Sequence, residues 1–177
     1  LDDKRRLTVK IGRFSALLGL GRTEQLPGLR QELKRYDDQP RYHLFNLLLT
    51  ALMGDLTRAA EQAENAGKLF PTEVIFPALM AQLLITLDQP ERAQAAARRA
   101  LELDPGSAEG MVAMAYYLTD YKRDYEGAVD LLRTGLETAP LESDLWGALG
   151  LTYQGLEENR LADHAFDRAL EIAPNDL

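Results

Sequence analysis

The sequence predicts an all-α chain built as a solenoid of antiparallel helix pairs, and three observations carry that prediction. Pro71, Pro105, Pro140 and Pro174 follow "GKLF", "LELD", "LETA" and "LEIA" at intervals of 34, 35 and 34 residues. Two series of small residues keep the same period: Ala59, Ala93, Ala128 and Ala162, then Ala66, Ala100, Gly135 and Ala169. Apolar residues fall three or four apart along stretches such as "ERAQAAARRALEL" and "RLADHAFDRALEI", while strand-like alternation is missing. Proline lacks the amide hydrogen a helix interior needs and pushes the residue before it toward extended conformations, so each of the four marks a place just past a helix end. Small side chains mark where helices approach closely.

Taken in order, residues 1 to 39 read as a divergent N-terminal helical pair, with Leu7, Ile11, Phe14, Leu17 and Leu18 on one face and "GLGRTEQ" as its turn. Units then run 40 to 73, 74 to 107, 108 to 142 and 143 to 177. Their first helices are "RYHLFNLLLTAL", "VIFPALMAQLLITL", "SAEGMVAMAYYLT" and "SDLWGALGLTYQGL", each joined to its second helix by "GD", "DQP", "DYKRDYEG" or "EENR". In "DQPE" the proline falls in the first helical turn, where its missing donor is harmless. Pro77 either opens its helix or kinks the first turn. The third turn is one residue longer than the others, which accounts for the 35-residue interval.

In the last unit, Trp146, Leu149, Gly150, Tyr153, Ala162, Phe166, Ala169 and Pro174 resemble the spaced signature of the tetratricopeptide repeat, a helix-turn-helix unit of about 34 residues. The earlier units depart from it: His43, Pro77 and Met111 stand where Trp146 stands in the last. The resemblance implies a right-handed superhelical solenoid forming a single domain, because a lone pair cannot bury its apolar faces and stacked neighbours can. A solenoid end is normally covered by a polar capping helix. Here "EIAPNDL" leaves Phe166, Leu170 and Ile172 without one, and the chain begins at Leu1; the expectation is a fragment of a longer array, or an end covered by another chain.

Composition restricts the functions open to such a chain. The net charge of −8 and pI near 4.8 argue against nucleic acid, which is held through a basic footprint. The longest apolar runs, such as "LFNLLLTALM", fall short of a membrane span. Charge is uneven: residues 1 to 41 carry ten Lys and Arg against six Asp and Glu, and residues 42 to 177 carry ten against twenty-two. With no cysteine there is no disulfide, thiolate nucleophile or cysteine metal site.

No catalytic constellation or cofactor motif is found. His43 and His164 are the only histidines and lie in the first and last well-defined units, too far apart for a shared metal or acid-base site. His43 reads as a packed residue in the Trp146 place, and His164 as a surface residue. "GLG" at 19 to 21 follows no strand, and the pairs Asp37-Asp38 and Glu157-Glu158 sit in turns. The expectation is a chain that is not an enzyme and needs no cofactor.

A superhelix of helix pairs has a concave surface lined by the first helix of every pair. The resemblance places there Arg41, Leu44, Leu48 and Ala51; Ile75, Ala78, Gln82 and Ile85; Glu109, Val112, Tyr116 and Thr119; Asp144, Gly147, Leu151 and Gln154. The expected site is an apolar floor with a charged rim, taking an extended or helical segment of a partner protein, with Arg41 opposite Glu109 and Asp144 to fix direction. Ile75 and Ile85 are equally well read as packing against the neighbouring pair. Among the tyrosines Tyr116, Tyr117, Tyr121 and Tyr125, the last three read as helix and turn packing. Family members that grip acidic chaperone tails use a clamp of Lys, Asn and Arg on these helices. The equivalent places here hold Arg41, Ile75, Glu109 and Asp144, so that role is not expected.

The function expected is a protein-interaction scaffold. The Ala/Arg/Leu-rich style resembles bacterial arrays of pilus, secretion and polysaccharide-export machines. Two other roles fit the same architecture: a regulatory or substrate-recruiting arm of a larger enzyme such as a transferase, and a structural homo-oligomer formed through the uncapped C-terminal end and the basic N-terminal pair. Partner and compartment, cytoplasmic or periplasmic, are not encoded.

Overall fold

The computed structural model describes residues 3–19 and 25–174. Among them run ten α-helices: α1 Asp3–Gly19, α2 Leu26–Leu33, α3 Pro40–Leu52, α4 Leu56–Leu69, α5 Ile75–Thr86, α6 Pro90–Leu103, α7 Ala108–Tyr117, α8 Tyr125–Thr138, α9 Ser143–Gly155 and α10 Asn159–Ile172. A 3₁₀ turn, Lys34–Tyr36, follows α2, and a π-helical turn, Leu118–Lys122, follows α7. The fold is a right-handed superhelical solenoid of antiparallel helix pairs. The segment "GLGRTEQ" lies for the most part outside the described residues, as do the side chain of Leu18 and residues 175–177. Among the described residues no helix is long and apolar enough to cross a membrane.

The prolines end helices by the expected route. The residue before each leaves helical geometry: Phe70 at φ −126°, Asp104 at −146°, Ala139 at −131° and Ala173 at −133°. Each still donates its amide to the carbonyl of a residue in the second small series, Ala66, Ala100, Gly135 or Ala169, at 2.8 to 3.1 Å. Helix starts are fixed by short side chains: Asp55 accepts from the Arg58 amide, Ser107 from Gly110 and Asp124 from Gly127. Pro40 and Pro90 occupy the first turns of α3 and α6, and Pro77 that of α5.

A second period appears in the backbone. Gly54, Asp88, Arg123 and Glu157 adopt φ between 54° and 87°, one in each of the last four pairs, at the turn joining its two helices. The extra residue of the third unit is taken up in the π-helical turn, after which Arg123 resumes this left-handed place. Nothing lies within 4 Å of a Cβ built on Gly54. Gly54→Ala should therefore cost about 1 kcal/mol from backbone strain alone. Glu157→Gly removes the same strain and should raise stability by up to about 0.5 kcal/mol, the unfolded-state entropy of glycine offsetting the rest. Urea titrations of both variants check the pair of signs.

The core is a chain of overlapping clusters. Ala59, Ala93, Ala128 and Ala162 are all fully buried, letting the two helices of a pair approach. Larger residues fill the space between pairs: Phe14 and Phe45 edge to face at 4.4 Å, Phe76 beside Leu47 and Ala63, and Leu132 with Leu145. At Gly135 an added Cβ would stand 2.7 Å from Met111 Sδ and 3.1 Å from both Leu145 Cδ atoms, so α9 rests on bare backbone there.

A candidate partner-binding groove on the inner helices

The first helices α3, α5, α7 and α9 are apolar on nearly all sides, because one side of each packs on its own pair and another on the next. The side left over faces inward. Gln82 of α5, Val112 and Tyr116 of α7, and Asp144 and Leu151 of α9 line one cavity of about 340 Å³. Ser143, Gly147 and Ala148 complete the α9 side, and Phe166, Ala169 and Ala173 form the wall contributed by α10 and its C-cap. Leu151 is 49% exposed, Tyr116 is half-buried and Val112 is buried, giving a floor that deepens from α9 toward α7. The phenol of Tyr116 is raised above its ordinary pKa, by burial first and then by the carboxylates of Asp144 and Asp120.

The other expected groove residues are placed differently. Leu48 is exposed on α3, outside this cavity, and Gln154 is exposed one turn beyond Leu151. Arg41 donates to Thr8 Oγ1 at 2.9 Å, tying α3 to α1. Glu109 accepts from the Ser107 hydroxyl at 2.8 Å, beside the cap of α7. Leu44 and Ile75 are half-buried against Leu47, Ala66 and Phe76, and Ile85 packs beside Leu84, its carbonyl accepting from the Tyr121 hydroxyl at 3.0 Å. Tyr117 is buried, and Tyr125 lies where a Cβ on Gly155 would meet its ring at 2.2 Å. The α10 wall was not anticipated. Its signal was the repeat itself: Leu132 and Gly135, the counterparts of Phe166 and Ala169, carry α9 on their surface.

Two further cavities lie on the outer side and are counterparts one of the other. One, of about 410 Å³, is lined by Gly67, Lys68, Pro77 and Met80 among others; the second, of about 490 Å³, is lined by Leu136, Glu137, Trp146 and Leu149 at the corresponding places. The protein's own side chains cross their rims: Glu64 bridges Lys68 and Arg92, and Arg133 donates to the Tyr153 hydroxyl at 2.8 Å. These contacts tie neighbouring helices together. The two histidines serve packing. His43 is half-buried, its Nε2 2.7 Å from the Asp37 carbonyl oxygen, and His164 is exposed with its ring edge to face with Trp146. Among the described residues no group of three His, Asp or Glu is placed to hold a metal ion.

Comparison with known proteins agrees with this architecture. The chain aligns over 96% of its length with 93% of TTC0263, a thermophilic protein of Thermus thermophilus, at 17% identity and a TM-score of 0.77. It aligns over 97% with 96% of MamA at 18% identity and a TM-score of 0.58. With YrrB, described as having an unusual peptide-binding site, 94% of this chain covers 86% of that one at 20% identity and a TM-score of 0.53. Identities this low carry the fold alone. No sequence among the curated proteins matches the chain. A family model, Tetratricopeptide repeat, matches residues 34–177. With the 34-residue period, the prolines that end each second helix and the left-handed residue repeated at each turn, this places the chain in the tetratricopeptide repeat family of protein-binding solenoids.

Proposed function

We propose that this chain is an interaction scaffold that holds a segment of one partner protein in its inner groove, as part of a multiprotein assembly. The observation that carries the reading is the cavity across α5, α7 and α9, where three helices present apolar and polar atoms to one open space. Val112, Tyr116 and Leu151 form the apolar contact, Gln82 and Asp144 supply hydrogen bonds, and Gln154, Glu109, Leu48 and Arg41 extend the path toward either end. Leu44, Ile75 and Ile85 shape the groove by packing beneath it.

Two exposed leucines give a matched test. Leu151 lies in the groove at 49% exposure, and Leu161 lies on the outer side at 44%. A polar amide at either position leaves the core intact. Leu151→Asn should weaken partner capture by about tenfold, since a polar group buried without a partner at an apolar contact is costly, and Leu161→Asn should leave it unchanged. Loss with Leu161→Asn alone would move the site to the outer surface.

Self-association is a second reading, favoured by the surplus of basic residues in 1–41 against the acidic remainder and by the exposure of Leu170 on α10. Mass measured over a range of concentrations tests it, and a strict monomer at high concentration removes it.

A further inference from the structure

The charges of the last three pairs are sorted by helix. The inner helices α5, α7 and α9 contain no lysine or arginine, and their ionised side chains are Glu109 and Asp144, with Asp120 in the π-helical turn that continues α7. Several cations of the last two pairs are engaged elsewhere. Lys122 stands over the Tyr117 ring, Arg123 donates to the Tyr125 hydroxyl, Arg133 to that of Tyr153, and Arg168 to Glu171. The inner cavity is therefore an apolar surface with a carboxylate at its edge and no basic side chain in its lining.

We infer that the segment taken by this groove is cationic: a lysine or arginine beside a large apolar side chain, its charge set against Asp144 at the Tyr116 ring. The inference rests on the reading of the inner groove as the partner site. Three contributions act on the same small space. The carboxylate of Asp144 attracts the cation across a partly desolvated floor, where Coulomb attraction is stronger than in bulk water. The face of a tyrosine ring attracts a cation further. Val112 and Leu151 accept the apolar neighbour. Asp144 and Tyr116 line the same cavity, and the phenol is raised above its ordinary pKa by burial first and then by the carboxylates of Asp144 and Asp120. An acidic segment would instead meet Asp144 with no basic side chain of the cavity lining to receive it.

A random-peptide phage library selected on the immobilised protein tests this without knowledge of the natural partner. Recovered peptides are expected to carry lysine or arginine next to leucine or an aromatic residue. Their binding should weaken about fivefold in Asp144→Asn, a loss at the upper end for an exposed ion pair, and binding to the unaltered protein should fall as salt rises from about 0.1 M to about 1 M and the Debye length shrinks from about 10 Å to about 3 Å. Every selected peptide is also measured on Leu151→Asn, which removes the apolar contact without adding charge. Uncharged or acidic peptides that lose binding in Leu151→Asn would overturn the cationic assignment and leave the groove standing. Peptides indifferent to Leu151→Asn, or no enrichment at all, would overturn both.

Discussion

Phe76→Ala should lower stability by about 3 to 5 kcal/mol, the range for emptying a fully buried aromatic site. Phe76 has no exposed surface; it stacks on Phe70 with ring centroids 6.0 Å apart and packs with Leu47, Ala63 and Ala66. It is thus the joint between the α3–α4 pair and the α5–α6 pair. In a solenoid each pair is stabilised by its immediate neighbours, so the damage should be local. Amide hydrogen exchange should show α3 and α4 losing protection well before α9 and α10. Equal loss along the whole chain would mean that the pairs unfold as one cooperative unit.

Two glycines three residues apart on α9 should respond to alanine with opposite signs. A Cβ on Gly150 would stand 2.6 Å from the Phe166 ring, inside the distance any carbon tolerates. Overpacking of this kind costs about 1 to 3 kcal/mol, and the gain in helix propensity of about 1 kcal/mol offsets only part of it. A Cβ on Gly147 would meet nothing within 4 Å, because that position opens into the groove. Gly147→Ala should therefore stabilise by about 1 kcal/mol. Thermal unfolding of both variants reads the difference. Equal signs would mean that α9 is rotated from the orientation that gives the groove its α9 wall.

The second helices were the most legible part of the chain. In α4, α6, α8 and α10 one face is alanine or leucine and the other is charged, so the buried Ala59, Ala93, Ala128 and Ala162 could be read from spacing alone. The first helices were harder. "IFPALMAQLLIT" is apolar around its whole circumference, and no periodicity distinguishes Ile75 and Ile85, which pack on neighbours, from Gln82, which reaches the cavity. Likewise Leu48 and Leu44 lie on one turn of α3, yet one is exposed and the other is packed toward Phe76.

Helix ends, helix pairing and the repeat length are local matters: a proline either can or cannot continue a helix, and a small residue either does or does not admit a neighbour. A stack of antiparallel pairs, with a proline just past the end of each of α4, α6, α8 and α10, was therefore legible before folding. Which apolar side chains stay open is set by the angle at which one pair settles on the last, through contacts between residues about 34 apart and more. That angle brought Gln82, Val112, Tyr116, Asp144 and Leu151 to one space, turned Phe166 and Ala169 toward it, and closed Leu44, Ile75 and Ile85 into the core. Only the tertiary structure decided it, because the angle is a sum of many packing contacts between helices and no short stretch of chain contains them.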